Sequence, residues 1–167
     1  EVIRRPAVDL TVAEAEGMAG VEVSGVFASV SGGQLRGVNS RGVVGVSGRI
    51  REVSALDVER AVEAARAINL PQDREMIHVL PQTFSVDDSE GIREPVGMSG
   101  VRLEAKVHIV TGAESAAQNI VKCVQRCGLE VEDIVLEQLA SSYAVLAEDE
   151  KDLGVCLIAV GGGATAV

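Results

Sequence analysis

The sequence predicts an α/β fold in which a small α+β lobe is inserted between the two halves of a parallel-sheet layer. Helical and strand-like apolar periodicities alternate along the chain. Val occurs in almost every apolar stretch, and only three aromatic residues are present, so the core has to be built from branched aliphatic side chains, which strands favour. With 167 residues, the chain is long enough for one domain or two small lobes.

The first part of the chain predicts one helix followed by one strand. Apolar residues share a helical face over 7–18, and Gly20 follows as a helix terminator. Residues 21–30 alternate apolar and small or polar residues, as in a strand, until Gly32 and Gly33 interrupt the pattern. This helix and strand are predicted to belong to the parallel-sheet layer.

The insert begins with a predicted hairpin and a helix. Turn-forming residues from Asn39 to Gly42 separate two Val-containing arms, which predicts a turn at that point. A helix is predicted over 54–70, with Ser54 as its N-cap and Asp57 as its third residue, close to a capping box. Its apolar stripe consists of Val58, Ala61, Val62, Ala65 and Ile68.

Two long strands complete the predicted insert, one on each side of a loop at 89–100 that is rich in Gly and Pro. An antiparallel pairing centred on this loop would place His78 near His108. Two histidines are too few for a zinc site without a third ligand, so ordinary sheet histidines are the favoured interpretation. The loop is too long for a tight turn and is therefore a candidate for function.

The last part of the chain predicts a further alternation of helices and strands. The predicted elements are a helix that starts at Thr111 or Ser115 and ends at Gly128, a strand at 133–136, a helix at 139–147, an acidic turn at 148–150 and a buried strand at 155–158. A run of three glycines follows this strand. The predicted sheet is therefore parallel, with helices between its strands.

Charge and cysteine content limit the possible functions. The net charge of −10 argues against nucleic-acid binding and against direct binding to an anionic membrane. No apolar run has the ~20 residues of a membrane span, and no signal peptide is visible, so a cytoplasmic location is expected. Cys123, Cys127 and Cys156 are expected to be small, buried apolar residues, and a redox or metal pair is the less favoured alternative.

The glycine run at 161–163 is the strongest chemical signal. Backbone N–H groups of consecutive glycines after a strand can bind phosphate oxygens, because no Cβ atoms are in the way. A plain tight turn would have the same sequence. From the residues alone, a phosphate loop and a plain turn are equally supported.

Several long motifs resemble one known family. The segments NSRGVVGVSGRI, EGIREPVGMSGVRLEAKVH, QNIVKCVQRCGLEVEDIVLEQL, LASSYAVL and the terminal GGG resemble the bacterial cell-division family FtsA, of the actin-like ATPase superfamily. The resemblance implies a partial actin-like (ribonuclease H-like) layer, subdomain 1A, at 1–33 and 111–167. It also implies that the insert, at 34–110, is the family's 1C lobe.

The resemblance implies a phosphate loop at Gly161, Gly162, Gly163, Ala164 and Thr165. The family loop has an aspartate on each side of the glycines, whereas this chain has Ala159 and Ala166. The family binds ATP with Mg²⁺, but we expect no bound cofactor here, no metal, no catalytic residue and no enzyme activity. The chain is accordingly expected to be a truncated fragment, without the family's FtsZ-binding domain and membrane-binding helix.

The family role implies an interaction module. FtsA-type proteins link the FtsZ ring to the membrane and recruit later division proteins, so self-association and binding of division-protein tails such as that of FtsN are expected here. Candidate partner-binding residues are Asn39, Arg41, Ile92, Arg93 and Met98. A residual ATP-binding or ATPase domain and a PilM-like pilus-assembly scaffold are the alternatives. Dimerisation through an unpaired sheet edge is a further possibility.

Overall fold

The computed structural model describes residues 5–161 and 165–167, with side chains described from Val8 onward. The chain divides into two units. Unit 1 contains Glu1–Leu35 and Gly112–Val167, and unit 2 contains Arg36–Thr111. These limits lie one or two residues from the expected boundaries of the insert.

The helices and strands confirm the predicted α/β class with an inserted α+β lobe. The helices are α1 (Arg5–Ala19), α2 (Ala55–Arg66), α3 (Glu114–Gln125), α4 (Glu137–Val145) and α5 (Glu148–Leu153). The strands are β1 (Gly25–Val30), β2 (Arg36–Gly45), β3 (Arg74–Val86), β4 (Ser89–Ile92), β5 (Arg102–Ala113), β6 (Glu130–Leu136), β7 (Ala159–Val160) and β8 (Thr165–Ala166).

Unit 2 consists of a four-stranded sheet, in the order β2-β5-β3-β4, and helix α2. Strands β2 and β5 are antiparallel, from Arg36 opposite Thr111 to Gly45 opposite Arg102. Alternate residues of β5 are fully buried, which is the pattern expected of a strand with one face on a core. The core residues are Val53, Ala61, Ala65, Phe84, Val86, Leu103, Ala105, Val107 and Ile109.

Helix α2 begins with the capping box that the sequence predicts. The Asp57 N–H donates to Ser54 Oγ at 3.2 Å, and Asp57 Oδ2 accepts from the Ser54 N–H at 3.1 Å. The predicted apolar stripe is confirmed as well, because its two alanines are buried and its other members pack against the core. The helix ends at Arg66, so the predicted end at residue 70 is wrong.

The predicted hairpin at Asn39–Gly42 is wrong, because β2 continues through these residues. The glycine is required by packing and not by a turn: a Cβ at Gly42 would overlap the Ala61 carbonyl oxygen and the Ala65 nitrogen of α2. The Ser40 hydroxyl donates to the Ala65 carbonyl oxygen at 2.7 Å and fixes the same approach. Turn-forming residues therefore serve here to bring a helix close to an edge strand.

The predicted loop at 89–100 is only partly a loop. Strand β4 forms a hairpin with β3 in which Ile92 lies opposite Phe84. Asp87, in the turn, has a left-handed backbone with φ of 51°, and its carboxylate accepts from the N–H groups of Val101 and Arg102. Residues 97–100 are hydrogen-bonded to residues 51–53, so this end of the loop is also held in place.

Unit 1 contains a short parallel sheet, as predicted. Strands β1 and β6 run parallel, from Gly25 opposite Glu130 to Val30 opposite Leu136. Gly128, which is positioned to end α3, has the left-handed φ of 81° that a helix C-terminus favours. Strand β1 begins at Gly25 and not at the predicted residue 21.

Two predictions for the C-terminal part of unit 1 are wrong. The acidic residues 148–150 open helix α5 and do not form a turn. Residues 155–158 are not a strand, and most of them are exposed. A strand requires a neighbour to pair with its backbone, and within the described residues none pairs with this segment. Instead, β7 and β8 form a separate two-stranded hairpin.

Candidate functional site

The glycine turn lies between β7 and β8. Ala159 is directly opposite Ala166, so the two alanines on either side of the glycine run meet across this hairpin. Thr165 is exposed and lies opposite Val160. Gly161 is exposed, whereas Gly162, Gly163 and Ala164 lie outside the described residues. The predicted loop is therefore described only at its two ends.

A cavity of about 370 Å³ adjoins this turn. It is lined by Ser31, Gly32, Gly33, Glu137, Gln138, Ala159, Gly161, Thr165 and Ala166. The residues after β1 and at the start of α4 were not among the predicted residues of this site. The signal was present, because Gly32 and Gly33 follow a strand just as the terminal glycines do.

The charge of the described lining does not suit magnesium-bound triphosphate. Its only charged side chain is that of Glu137, and no cation faces the cavity from the described residues. Nucleotide-hydrolysing sites use carboxylates to hold Mg²⁺, often with cations on the phosphates. Alanines at 159 and 166 cannot supply those carboxylates. The residues present therefore fit an ATP–Mg²⁺ site poorly, and we derive no reaction from them.

Gln138 is the unusual polar group of this site. Its Oε1 atom is buried without a hydrogen-bond partner among the described residues. The residue lines the cavity at the glycine turn and also a neighbouring cavity of about 360 Å³, which Leu146 and Leu157 help to line. Cys156 lines the second cavity and is exposed, contrary to the expectation of a buried cysteine.

The second candidate region is the sheet of unit 2. Strand β2 is an edge strand of ten residues, and no described strand pairs with its outer side. Asn39 and Arg41 are alternate residues of β2 and lie on the sheet face opposite α2. The Asn39 Oδ1 atom lies 2.6 Å from His108 Nδ1, and Arg41 is 3.7 Å from Glu104 while its side chain stays 70% exposed.

The other predicted partner-binding residues lie elsewhere. Ile92 ends β4, at the opposite edge of the sheet from β2, and Arg93 follows it. Three strand spacings separate the two edges, which is about 14 Å. Ile92 and Met98 are half-buried and pack against the core, so both also have a structural role. The five predicted residues therefore do not form one surface.

The histidines do not form a metal site in the described structure. His108 is hydrogen-bonded to Asn39 across the β2–β5 pair. Within residues 5–161 and 165–167, no group of three or more His, Cys, Asp or Glu side chains is placed to hold a metal ion. None of the described helices has the length and apolar character needed to cross a membrane.

The buried carboxylate of unit 2 is Asp57. It accepts hydrogen bonds from the hydroxyls of Ser47 and Ser54, both at 2.6 Å, and from Arg60 at 3.1 Å. The bonds from Ser47 and Ser54 hold the pKa of Asp57 well below its usual range. The Asp57 carboxylate is therefore ionised, and its hydrogen bonds connect the start of α2 to the loop after β2.

The fold defines a class of protein: an α+β lobe inserted into an α/β layer that carries a glycine turn. Residues 32–111 match a family described as the SHS2 domain inserted in FTSA. The predicted resemblance to the FtsA family is thereby confirmed, and relatives along the rest of the chain support it.

The relatives are cell-division proteins. The chain is 54% identical over 159 residues to cell division protein FtsA of Pseudomonas aeruginosa and 48% identical to that of Neisseria meningitidis. It is 44% identical over 156 residues to that of Escherichia coli K12. These matches cover 93–95% of this chain, whereas the chain spans only 37–38% of the length of these relatives.

Proposed function

We propose that the chain acts in cell division as a protein-interaction module, and that unit 2 is its docking lobe. The relatives are all named cell division proteins, which supports the process. The finer roles implied by the family are part of the proposal: a cytoplasmic location, linkage of the FtsZ ring to the membrane, and recruitment of later division proteins without nucleotide hydrolysis.

The observation that carries this proposal is the open edge of β2. A long edge strand offers a row of backbone N–H and C=O groups to which an extended peptide can pair. Helix α2 fixes this strand from one face, through Gly42 and Ser40. A strand that is already held in place loses little conformational freedom when a peptide binds, which favours affinity.

Side chains on the open face of β2 would select the peptide. Asn39 and Arg41 lie beside each other there, and the guanidinium of Arg41 is largely in solvent. We propose that these two residues contact alternate side chains of the bound strand. Ile92, Arg93 and Met98, at a distance from β2, remain a separate proposed contact surface.

The charge of the chain favours a basic partner segment only at long range. Unit 2 is almost neutral, with 10 basic and 11 acidic residues, whereas the rest of the chain has 5 basic and 14 acidic residues. The net charge would steer a basic tail, such as that proposed for FtsN, towards the chain. Local binding at β2 would come from main-chain hydrogen bonds.

Binding of a division-protein tail with methylated amides tests this proposal. An FtsN cytoplasmic tail would be N-methylated at alternate residues in either of two registers, and its affinity for the chain measured by fluorescence anisotropy. Strand addition predicts that one register abolishes binding and that the other is tolerated, because only alternate N–H groups face the partner strand. Equal binding of both methylated tails would contradict it.

A pair of arginine variants tests the selecting face. Arg41→Ala is expected to weaken binding about threefold to tenfold, the loss of one partly desolvated contact. Arg66→Ala is the matched control, because Arg66 is an exposed arginine of α2 in the same unit.

The alternative of a residual ATP-binding domain rests on the cavity at the glycine turn. We propose that the chain does not hydrolyse nucleotide, because the only charged side chain in the described lining of this cavity is the carboxylate of Glu137. A PilM-like pilus-assembly role receives no support from the relatives described above.

A further inference from the structure

The loop between β2 and α2 exposes an isoleucine between two arginines. Ile50 is 82% exposed, and Arg49 and Arg51 are exposed on either side of it. In the described part of the chain, neither arginine takes part in an ion pair. We call residues 48–51 the Ile50 tip. The Ile50 tip therefore combines an exposed apolar side chain with a positive charge on each side of it.

The Ile50 tip is held in place at both ends. Before it, the Ser47 N–H and hydroxyl both donate to the buried carboxylate of Asp57. After it, the Gly100 N–H donates to the Arg51 carbonyl oxygen at 2.8 Å. Arg51 itself has a left-handed φ of 53°, which a non-glycine residue keeps only when its surroundings fix it.

The Ile50 tip continues into further exposed apolar side chains. Val101 follows Gly100, whose N–H donates to the Arg51 carbonyl oxygen, and it is also exposed. Glu52 forms an antiparallel bridge with Ser99, and Val96 and Leu56, which are close to these two residues in the chain, are exposed as well.

The charges around this surface are arranged by sign. The arginines flank Ile50, whereas Glu52 lies towards Gly97 and Glu94 is close to Val96 in the chain. A bound segment would therefore need carboxylates at the Ile50 end. This local basic character is found in a chain whose net charge is −10.

We propose that the Ile50 tip docks an acidic amphipathic segment of a partner protein. Apolar side chains of that segment would cover Ile50 and Val101, and its carboxylates would pair with Arg49 and Arg51. An anionic membrane is the less suitable occupant, because membrane-binding patches use about four to eight basic residues and this chain is acidic overall. The inference does not depend on peptide binding at the β2 edge.

Titration of the ¹⁵N-labelled chain with defined probes tests this inference. One probe is an amphipathic 14-residue helical peptide of Leu and Glu, and the second has Lys at every Glu position. The expected result is that the Glu peptide shifts the amide signals of residues 48–51 and 100–101. It should bind at least about tenfold more tightly than the Lys peptide. Vesicles of phosphatidylglycerol and phosphatidylcholine form the third arm.

Matched variants locate the contact. Ile50→Ser and Arg49→Glu should each weaken the Glu peptide about fivefold or more, which corresponds to the loss of one apolar or one charged contact. Val43→Ser is the control, because Val43 is an exposed valine of β2 away from the tip. Since all three side chains are exposed, the variants should keep the melting temperature of the parent chain.

Four outcomes would overturn the proposal: equal binding of the Glu and Lys peptides, shifts confined to other residues, an unchanged affinity in Ile50→Ser, or Ile50-dependent binding to vesicles without binding to the Glu peptide. The Glu peptide is expected to leave the amide signals of residues 36–45 unchanged. If peptide binding at the β2 edge fails, the Glu-peptide shifts at residues 48–51 and 100–101 are still expected, so the two proposals are separable in one set of spectra.

Discussion

The two units bury their only phenylalanines to very different extents. Phe84 of unit 2 is 8% exposed and belongs to the core, whereas Phe27 of unit 1 is 66% exposed on a two-stranded sheet. Unit 2 covers its sheet with α2. The described strands of unit 1 form two separate two-stranded sheets, and this unit leaves more apolar side chains in solvent. The comparison shows that unit 2 closes its own core and that unit 1 does so only in part.

The same contrast holds for other large apolar side chains. In unit 1 the exposed ones are Leu10, Met18, Val21, Phe27, Tyr143, Val145, Leu153, Val155, Ile158, Val160 and Val167. In unit 2 they are Val38, Val43, Ile50, Leu56, Val96 and Val101. Val38 and Val43 are on the edge strand, and Ile50 and Val101 are in or next to the Ile50 tip, where both proposed contacts lie. A rigid body with local apolar exposure is the arrangement that recognition favours.

Truncation of the two phenylalanines should have the largest effect on this comparison. Phe84→Ala is expected to reduce the free energy of unfolding by about 3–5 kcal/mol, because it opens a cavity in the core of unit 2. Phe27→Ala should cost less than about 1 kcal/mol, because most of its ring is already in water. Urea unfolding followed by circular dichroism measures both.

Similar losses for the two phenylalanine variants would break the comparison, since they would mean that Phe27 is also covered. If Phe84→Ala changed only the amide signals of unit 2, its destabilising effect would be confined to that unit, and the comparison between the units would be sharper.

Removal of the buried carboxylate should have the next largest effect. Asp57→Asn is expected to lower the melting temperature at pH 7 by on the order of 10 °C, because Ser47, Ser54 and Arg60 lose an ionised acceptor. The matched control is Asp88→Asn, at an exposed turn position of the same unit, which should change little.

The pH dependence of the Asp57 variant has a definite sign. The pKa of Asp57 is lowered in the folded chain, so its stabilising contribution is complete above the ordinary value of 3.8 and declines as the pH falls below it. The melting curves of the parent chain and Asp57→Asn should therefore converge below about pH 4. A constant difference down to pH 2 would contradict this.

Addition of nucleotide should have the smallest effect. Because the described cavity at the glycine turn has one carboxylate and no cation, millimolar Mg·ATP is not expected to raise the melting temperature measurably. Differential scanning fluorimetry checks this, with Glu137→Lys as a comparison that adds the missing cation. A saturable rise in the parent chain would support the residual ATP-binding alternative.

Much of the fold follows from periodicity in the sequence. The capping box at Ser54 and Asp57 and the apolar stripe of α2 were predicted because they depend on neighbouring residues. The continuation of β2 through residues 39–42 was not predicted. Gly42 favours a turn when only its neighbours in the sequence are considered, and its role is explained by α2, which comes later in the chain and packs against it. Residues 155–158 were misassigned because apolar composition does not show whether a partner strand exists.

The candidate sites were predicted less well, for a physical reason. The glycine turn and the alanines beside it can be recognised locally, but Ser31–Gly33 and Glu137–Gln138 are far away in sequence and join the cavity only through folding. Asn39 and Arg41 were chosen as turn residues, and they are exposed for a different reason, namely alternation on an edge strand. Partner binding at any of these residues stays a prediction.

Hydrogen exchange of the whole chain with and without the FtsN cytoplasmic tail tests the central claim most directly. We propose that the edge strand of unit 2 carries recognition, so the tail is expected to slow exchange in residues 36–45 and to leave residues 159–167 unchanged. Slower exchange around the glycine turn, with no change in β2, would contradict the account.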